Sequence, residues 1–160
     1  MPAAEQQFVD RTITLARENV TEGGRPFSCL VVRDGEILAE SPNLVAQTND
    51  PTAHAEIIAI RQACRRIASE DLSGCDVYVM AHPCPMCLGS LYYCSPDNVF
   101  FLTHREEYAS HYTDERRYFE FGEFYDEYEK SWDDRELPLV HESNDDALAV
   151  YAEWERQNTG

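Results

Sequence analysis

Two short segments that lie far apart in the chain constrain its fold most, because both carry potential metal ligands. The first is His-Ala-Glu at residues 54–56, and the second is Pro-Cys-Pro-Met-Cys at residues 83–87. His54, Cys84 and Cys87 together form a ligand set that binds zinc and leaves its fourth tetrahedral position open. Zinc lowers the pKa of water in an open position to about 7, and Glu56 is placed to carry the proton that this water loses. The sequence therefore predicts a fold that joins both segments around a catalytic Zn²⁺.

Each segment alone has other interpretations. A histidine in an apolar helical stretch is more often an ordinary residue than a ligand, and a C-x-x-C pair also occurs in zinc knuckles and in redox dithiols. A knuckle needs a second pair, but the remaining cysteines are widely spaced single residues: Cys29, Cys64, Cys75 and Cys94. A redox dithiol remains an alternative, although it leaves the His-x-Glu segment unexplained.

The local sequence places both segments at the beginning of helices. The turn residues at 50–52 indicate a helix start with Thr52 as N-cap, followed by a helix over residues 53–67 with His54 and Glu56 in its first turn. A strand over residues 76–81 precedes Pro83, and a second helix with Pro85 near its start reaches about Ser95. Helix N-termini carry partial positive charge, which favours cysteine thiolates.

The rest of the sequence predicts an α/β fold. Asp34-Gly35 between two apolar runs is a strong hairpin signal. The predicted elements are a helix over 5–21, hairpin strands at 27–33 and 36–41, a strand at 98–103, a short edge strand at 137–141, and a last helix at 145–156 capped by Asn144 or Asp145. This order indicates a three-layer α/β/α sandwich with a mixed sheet of about five strands. We expect a single domain over residues 1–160, with its core at about 5–104 and an aromatic, acidic segment at 105–160 that either packs on the core or closes the active site.

Composition disfavours several kinds of partner. The formal net charge is −17, and Lys130 is the only lysine. Because phosphate backbones are bound through lysine and arginine, we expect no nucleic-acid partner. The sequence has no apolar run of the length that spans a membrane, and residues 1–10 lack the pattern of a secretory signal. Six cysteines without a disulfide framework favour the cytoplasm.

Residues 49–56 and 83–89 strongly resemble the cytidine-deaminase-like superfamily, and within it the small zinc-dependent bacterial guanine deaminases; the similarity runs from about Phe8 to Thr103. The resemblance implies a Zn²⁺-dependent hydrolase that converts a free purine-like base, guanine, to xanthine and ammonia, with Glu56 as the proton shuttle. It also implies a homodimer whose C-terminal tails close the partner's active site. Alternatives are another base, nucleoside or aminotriazine (guanosine, cytosine or ammeline), tRNA adenosine, or a zinc-held scaffold without activity.

The resemblance also implies substrate contacts. Asn43 would hydrogen-bond the base, although it is alternatively a simple turn residue, and Phe27 would stack on the base or line the pocket. Backbone donors near Ala55 and Cys84 would stabilise the tetrahedral oxygen, and Asp114 or Glu115 would read the amino edge of guanine.

Two positions depart from the family pattern. His82 stands where relatives carry a glutamate; it is either a substrate contact or a residue that bonds backbone at a strand end. Cys29 stands where relatives carry a small residue, and we include it among the candidate pocket residues.

Overall fold

The computed structural model describes residues 2–118 and 124–159. In chain order its elements are α1 (Gln6–Thr21), β1 (Ser28–Arg33), β2 (Glu36–Pro42), α2 (Val45–Thr48), α3 (Ala55–Ile67), β3 (Cys75–Ala81), α4 (Pro85–Cys94), β4 (Asn98–Thr103), α5 (Arg105–Tyr108), α6 (Phe124–Glu129) and α7 (Asp145–Asn158). The chain divides after Asp114 into two compact units, which are described separately. The expectation of a single domain with a core near residues 5–104 stays a prediction.

The sheet of the first unit is mixed, as predicted, with the strand order β2-β1-β3-β4. β1 pairs antiparallel with both β2 and β3, whereas β3 and β4 are parallel. Asp34 and Gly35 both have positive φ, 51° and 77°, so they form the tight turn that the hairpin signal predicts.

The prediction of about five strands is wrong by one strand. The described part of the chain contains four strands, because residues 137–141 form none. Pro138 lies within that segment, and its missing N–H removes a hydrogen bond from any strand pairing there.

Two apolar layers cover the two faces of the sheet and confirm the three-layer architecture. On one face, Phe8 and Leu15 of α1 pack with Leu30 and Tyr78. The other face packs against α3 and α4 through a cluster that includes three alanines of α3: Ala55, Ala59 and Ala63. Small side chains let the α3 backbone lie close to the sheet, which fixes the position of its first turn.

The topology brings the starts of α3 and α4 to one edge of the sheet. β2 and β3 both run antiparallel to β1, so they run parallel to each other and their carboxyl ends lie at the same edge. α4 follows β3 directly, and α3 begins shortly after the end of β2. Ligand sites of α/β sheets commonly lie at such an edge.

The second unit contains α6, a 3₁₀ turn at Trp132–Asp134, and α7. The Glu127 carboxylate accepts from Lys130 Nζ (2.9 Å) and from the Glu136 N–H (2.7 Å), which ties α6 to the segment that follows it. α7 begins at the predicted cap, since the Asn144 side chain accepts from the N–H groups of Asp146 and Ala147. Across residues 2–118 and 124–159, no helix has the length and apolar character needed to cross a membrane.

Candidate active site

His54 lies immediately before helix α3 and serves as its N-cap residue. Its φ and ψ are −63° and 149°, which is extended backbone. The predicted N-cap, Thr52, is wrong because its hydroxyl and N–H both donate to Asp50 Oδ1, at 2.7 and 2.9 Å, within a tight turn. His54 therefore precedes the first helical turn, whereas Glu56 lies within it as predicted.

The second ligand segment is built in the same way. Cys84 is the N-cap of α4, with extended backbone at φ −67° and ψ 168°, and Pro85 occupies the first turn. Cys87 lies one turn into the helix and is fully buried. Both thiols therefore lie at the positively polarised end of α4, as the sequence predicts.

The three predicted ligands meet at distances that fit zinc. His54 Nδ1 lies 3.6 Å from Cys84 Sγ and 3.5 Å from Cys87 Sγ, and the three ligand atoms all lie within 4.8 Å of one another. Tetrahedral zinc with bonds of about 2.0–2.1 Å to nitrogen and about 2.3 Å to sulfur places such atoms about 3.6 Å apart. The two distances from His54 to the thiols therefore match those around a tetrahedral Zn²⁺.

The thiols already favour a thiolate before any metal binds. Hydrogen bonding with Cys87 lowers the pKa of Cys84 to about 4, and His54 contributes in the same direction. The same contact raises the pKa of Cys87, since the pair shares one proton. In the described chain the cysteines are free thiols, and a redox dithiol would leave the imidazole beside them without a purpose.

Glu56 has the environment of a proton-transfer group. It is only 8% exposed, and burial raises the pKa of its carboxyl, while a hydrogen bond with Cys87 acts in the opposite direction. A carboxyl group whose pKa is shifted toward neutrality exchanges protons more readily at working pH. Glu56 thus adjoins the metal ligands without being one of them.

Cys29 lies on β1 in the core layer beneath α3, with Ala55, and is fully buried. Burial raises the pKa of its thiol well above the usual value, and the charge of Glu56 adds to this effect. Its predicted contact with a substrate stays a prediction, since the structure places it under helix α3.

Asn43 lies at the end of β2 and is almost fully buried, with 3% exposure. Its N–H donates to the Phe27 carbonyl (2.9 Å), and its side-chain Oδ1 accepts from the Val45 N–H (3.0 Å). Its Oδ1 is therefore engaged by a backbone donor, and the predicted contact between Asn43 and the base stays a prediction.

Phe27 is enclosed by two tyrosines that the sequence pattern does not distinguish from the other aromatic residues of segment 105–160. Its ring lies edge-to-face with Tyr108 and Tyr112, with centroids 5.8 and 5.0 Å apart. All three rings line a cavity of about 520 Å³ that also includes Met80. Burial raises the pKa of Tyr108 to about 12, and the charges of Cys84 and Glu56 add to this effect. The aromatic residues after β4 were recognised only as a group, since their spacing did not show which ones face the site.

The remaining predicted residues differ in placement. Burial lowers the pKa of His54, but Cys84, Glu56 and Asp114 raise it by more, so the Asp114 carboxylate lies within electrostatic range of the metal ligands.

His82 donates its N–H to the Thr103 carbonyl (2.9 Å), and its ring lies edge-on to Phe101. This agrees with the interpretation of His82 as a strand-end residue, and a substrate contact stays a prediction. Glu115 belongs to the second unit.

Asn19 is a buried polar residue of α1 whose contacts the predicted helix over residues 5–21 does not reveal. It is 2% exposed and donates to the carbonyls of Arg25 (2.7 Å) and Asn43 (2.8 Å). An asparagine at a core position of a helix is the signal that identifies it, because such a side chain needs buried hydrogen-bond partners.

Comparisons with known proteins agree with this geometry. Residues 2–103 match the model of the cytidine and deoxycytidylate deaminase zinc-binding region. The chain is 38% identical to the guanine deaminase of Bacillus subtilis over 151 residues, which cover 93% of this chain and 92% of that protein. The tRNA-specific adenosine deaminase of Aquifex aeolicus is 36% identical over 97 residues, covering 61% and 64%.

The similarity to a guanine deaminase extends to the three-dimensional structure. The crystal structure of the guanine deaminase from Bacillus subtilis superimposes with a TM-score of 0.86 and 35% identity, covering 96% of this chain and 95% of that one. One chain thus combines the three candidate metal ligands, a buried glutamate and the three-layer fold. Both its sequence and its structure match a guanine deaminase. The protein belongs to the zinc-dependent cytidine and deoxycytidylate deaminase family.

Proposed function

We propose that this protein is a guanine deaminase, which hydrolyses guanine to xanthine and ammonia. The observation that carries the proposal is the extent of the similarity. The match to the guanine deaminase covers 93% of the chain and so includes the region after β4, whereas the match to the tRNA deaminase covers 61%. The net charge of −17 also disfavours a polyanionic substrate.

The chemistry follows from the placement of four side chains. His54, Cys84 and Cys87 would hold Zn²⁺, which as a Lewis acid would lower the pKa of a water molecule to about 7. Glu56 takes a proton from the attacking water as the oxygen of that water bonds to the ring carbon that bears the amine. Glu56 then protonates the adjacent ring nitrogen and, after a second transfer, the amine, whose bond to carbon breaks. The atoms balance as guanine plus water giving xanthine plus ammonia.

Backbone donors support the charge that develops on oxygen. The first N–H groups of any α-helix have no partner within the helix, and both α3 and α4 begin at the ligands. We assign to the N–H groups near Ala55 and Cys84 the role of donors to the tetrahedral oxygen, where such donors contribute most.

Recognition of the base is assigned to two polar groups. The Asn43 amide nitrogen donates to an acceptor on the base, because its Oδ1 is held by Val45. Asp114, whose charge already acts on His54, is the better candidate to accept from the amino and N1–H groups of guanine, and Glu115 is the alternative. Adenine has no N1–H group, so a carboxylate at this position favours guanine.

The direct test is ammonia release by the purified, zinc-loaded protein with guanine as substrate, and with guanosine, cytosine, adenine and ammeline alongside. We expect turnover of guanine at a kcat/KM at least tenfold above that of the other compounds. Turnover of another compound, with none for guanine, would overturn the substrate assignment and leave the hydrolytic mechanism standing. Glu56→Gln serves as the inactive control for contaminating deaminases.

The proposal includes a cytoplasmic homodimer. α4 and β4 contain no charged residue, and their surface exposes Tyr92 (80%) and Tyr93 (91%) beside a groove of about 310 Å³ that includes Leu88 and Val99. On a chain of net charge −17, an uncharged apolar face is where a second copy meets the least repulsion. Closure of the active site by residues 105–160 stays a prediction.

The oligomeric state is measured by light scattering coupled to size exclusion. We expect a dimer for the native chain and a monomer for Tyr92→Glu/Tyr93→Glu. Val20→Glu, at an exposed apolar residue of α1, is the matched control and leaves the dimer intact. A native monomer at micromolar concentration contradicts this part of the proposal.

A further inference from the structure

Asn19 forms a hydrogen-bonded junction between helix α1 and the two segments that carry the proposed substrate contacts. Its Nδ2 donates to the Arg25 carbonyl at 2.7 Å and to the Asn43 carbonyl at 2.8 Å. Its Oδ1 accepts from Gln47 Nε2 at 2.8 Å. Both amide hydrogens and the amide oxygen are therefore used, which is what a buried amide requires.

The two carbonyls that Asn19 binds lie on either side of Phe27. The Phe27 N–H donates to the Arg25 carbonyl (2.9 Å), and the Phe27 carbonyl accepts from the Asn43 N–H (2.9 Å). One side chain of α1 thus fixes the backbone that leads into β1 and the backbone that leaves β2. Asn19 therefore holds Phe27 and Asn43 in place relative to each other. Phe27 is proposed to line the pocket, and Asn43 is proposed to donate to the base.

Gly24 shows how closely this junction is packed. A Cβ atom at Gly24 would collide with Gln47 Nε2 and would lie 2.5 Å from both the amide nitrogen and the amide oxygen of Asn19. A side chain at this position therefore forces a shift within the junction, of the Gln47 side chain or of the Asn19 amide.

We infer that Asn19 is a positioning residue for substrate binding, and this inference rests on the proposed function. Without the Asn19 donor, the carbonyl of Asn43 loses a buried partner. The Leu44 N–H still donates to the Ala53 carbonyl (3.0 Å), so the peptide between residues 43 and 44 is then held on one side and tilts about that bond. The Asn43 side chain turns with it, because its Oδ1 is held by the Val45 N–H just beyond that peptide. A misplacement of about 1 Å in a group that orients substrate reduces activity by about 10²-fold.

The test compares Asn19→Ala with a matched control, Thr12→Val. Thr12 is fully buried on the same helix, and its hydroxyl donates only within α1, to the Phe8 carbonyl at 2.7 Å. Both variants are expected to lower the melting temperature. Only Asn19→Ala is expected to raise KM for guanine, by about 10- to 100-fold, with kcat changed less and with one zinc still bound per chain.

A double-mutant cycle separates positioning from general destabilisation. If Asn19 acts through Asn43, the loss of kcat/KM caused by Asn19→Ala shrinks to within about twofold when Asn43 is already alanine. An undiminished loss in that background would overturn the inference, as would an unchanged KM in a folded, zinc-loaded Asn19→Ala protein.

Gly24→Ala provides a second and independent perturbation, which is decisive if Asn19→Ala does not fold. It keeps the Asn19 amide but places a methyl group 2.5 Å from both the nitrogen and the oxygen of that amide. We expect this contact to displace the amide and to raise KM in the same way; an unchanged KM would contradict the inference. Native turnover is measured first. Failure of the native protein on guanine counts against the proposed function, and the Asn19 variants are then assayed on whichever of the five compounds the native protein deaminates.

Discussion

Replacing Glu56 with glutamine removes a proton-transfer group and leaves the size of the side chain unchanged. Glu56 is 8% exposed and lies in the first turn of α3, where burial raises the pKa of its carboxyl. Glutamine fills the same volume and carries no charge to be desolvated, so we expect helix α3 and the three zinc ligands to remain in place. The effect should therefore fall on the chemical step alone.

General acid–base catalysis contributes about 10²–10⁴ in rate, which corresponds to about 2.7–5.4 kcal/mol of the activation barrier. Because the same carboxyl serves both the attacking water and the departing amine, we place Glu56→Gln near the upper end, at a loss of about 10⁴ in kcat. KM should change by less than the turnover number, since Glu56 is assigned to proton transfer and not to holding the base.

The assay is steady-state ammonia release, with the zinc content and the melting temperature measured on the same preparation. Glu70→Gln, the same change at an exposed residue just beyond α3, is the matched control and should retain native turnover. A Glu56→Gln protein that binds one zinc and turns over within tenfold of the native rate would refute the role of Glu56.

Three further predictions concern stability and selectivity. Leu30→Ala, at a fully buried position of the central strand β1, should lower the free energy of unfolding by about 2–5 kcal/mol, measured by urea denaturation. Two hydrogen bonds from Arg11 lower the pKa of the Glu40 carboxyl. The pair therefore stabilises the fold at pH values above the ordinary glutamate pKa, and this contribution is lost as pH falls through the lowered pKa. Glu40→Gln should flatten the dependence of stability on pH in that acidic window. Asp114→Asn should raise KM for guanine about tenfold while zinc content stays constant, and Glu115→Gln should not; the opposite result in steady-state kinetics would assign the contact to Glu115.

The candidate metal site was predictable from the sequence because its signals are local. The ligand segments contain their own turn and helix-start residues, and the apolar spacing after each one matches α3 and α4. The strand predicted at residues 98–103 has the bounds of β4, since a continuous apolar run bordered by polar residues marks both of its ends.

The errors come from hydrogen bonds that a sequence pattern does not show. Thr52 looks like a helix cap, but its hydroxyl is bound to Asp50. Residues 137–141 show only a weak alternation of apolar and polar side chains, and they contain a proline. A strand forms only where a neighbouring strand supplies hydrogen-bonding groups, and the sequence of this segment does not show whether it has such a neighbour. The sequence pattern does not predict the hydrogen bonds of Asn19, because its partners near Arg25 and Asn43 become neighbours only once the hairpin folds against α1.

At the metal site, the first residues of α3 and α4 serve function at the expense of helix stability. His54 and Cys84 occupy N-cap positions, and among the described residues neither side chain accepts a capping hydrogen bond from its own helix. Serine or aspartate at an N-cap stabilises a helix by about 0.5–2 kcal/mol relative to a residue that does not cap. A search for thermostable variants guided by helix propensity alone would therefore select these two positions, and each substitution would strengthen a helix while removing a zinc ligand.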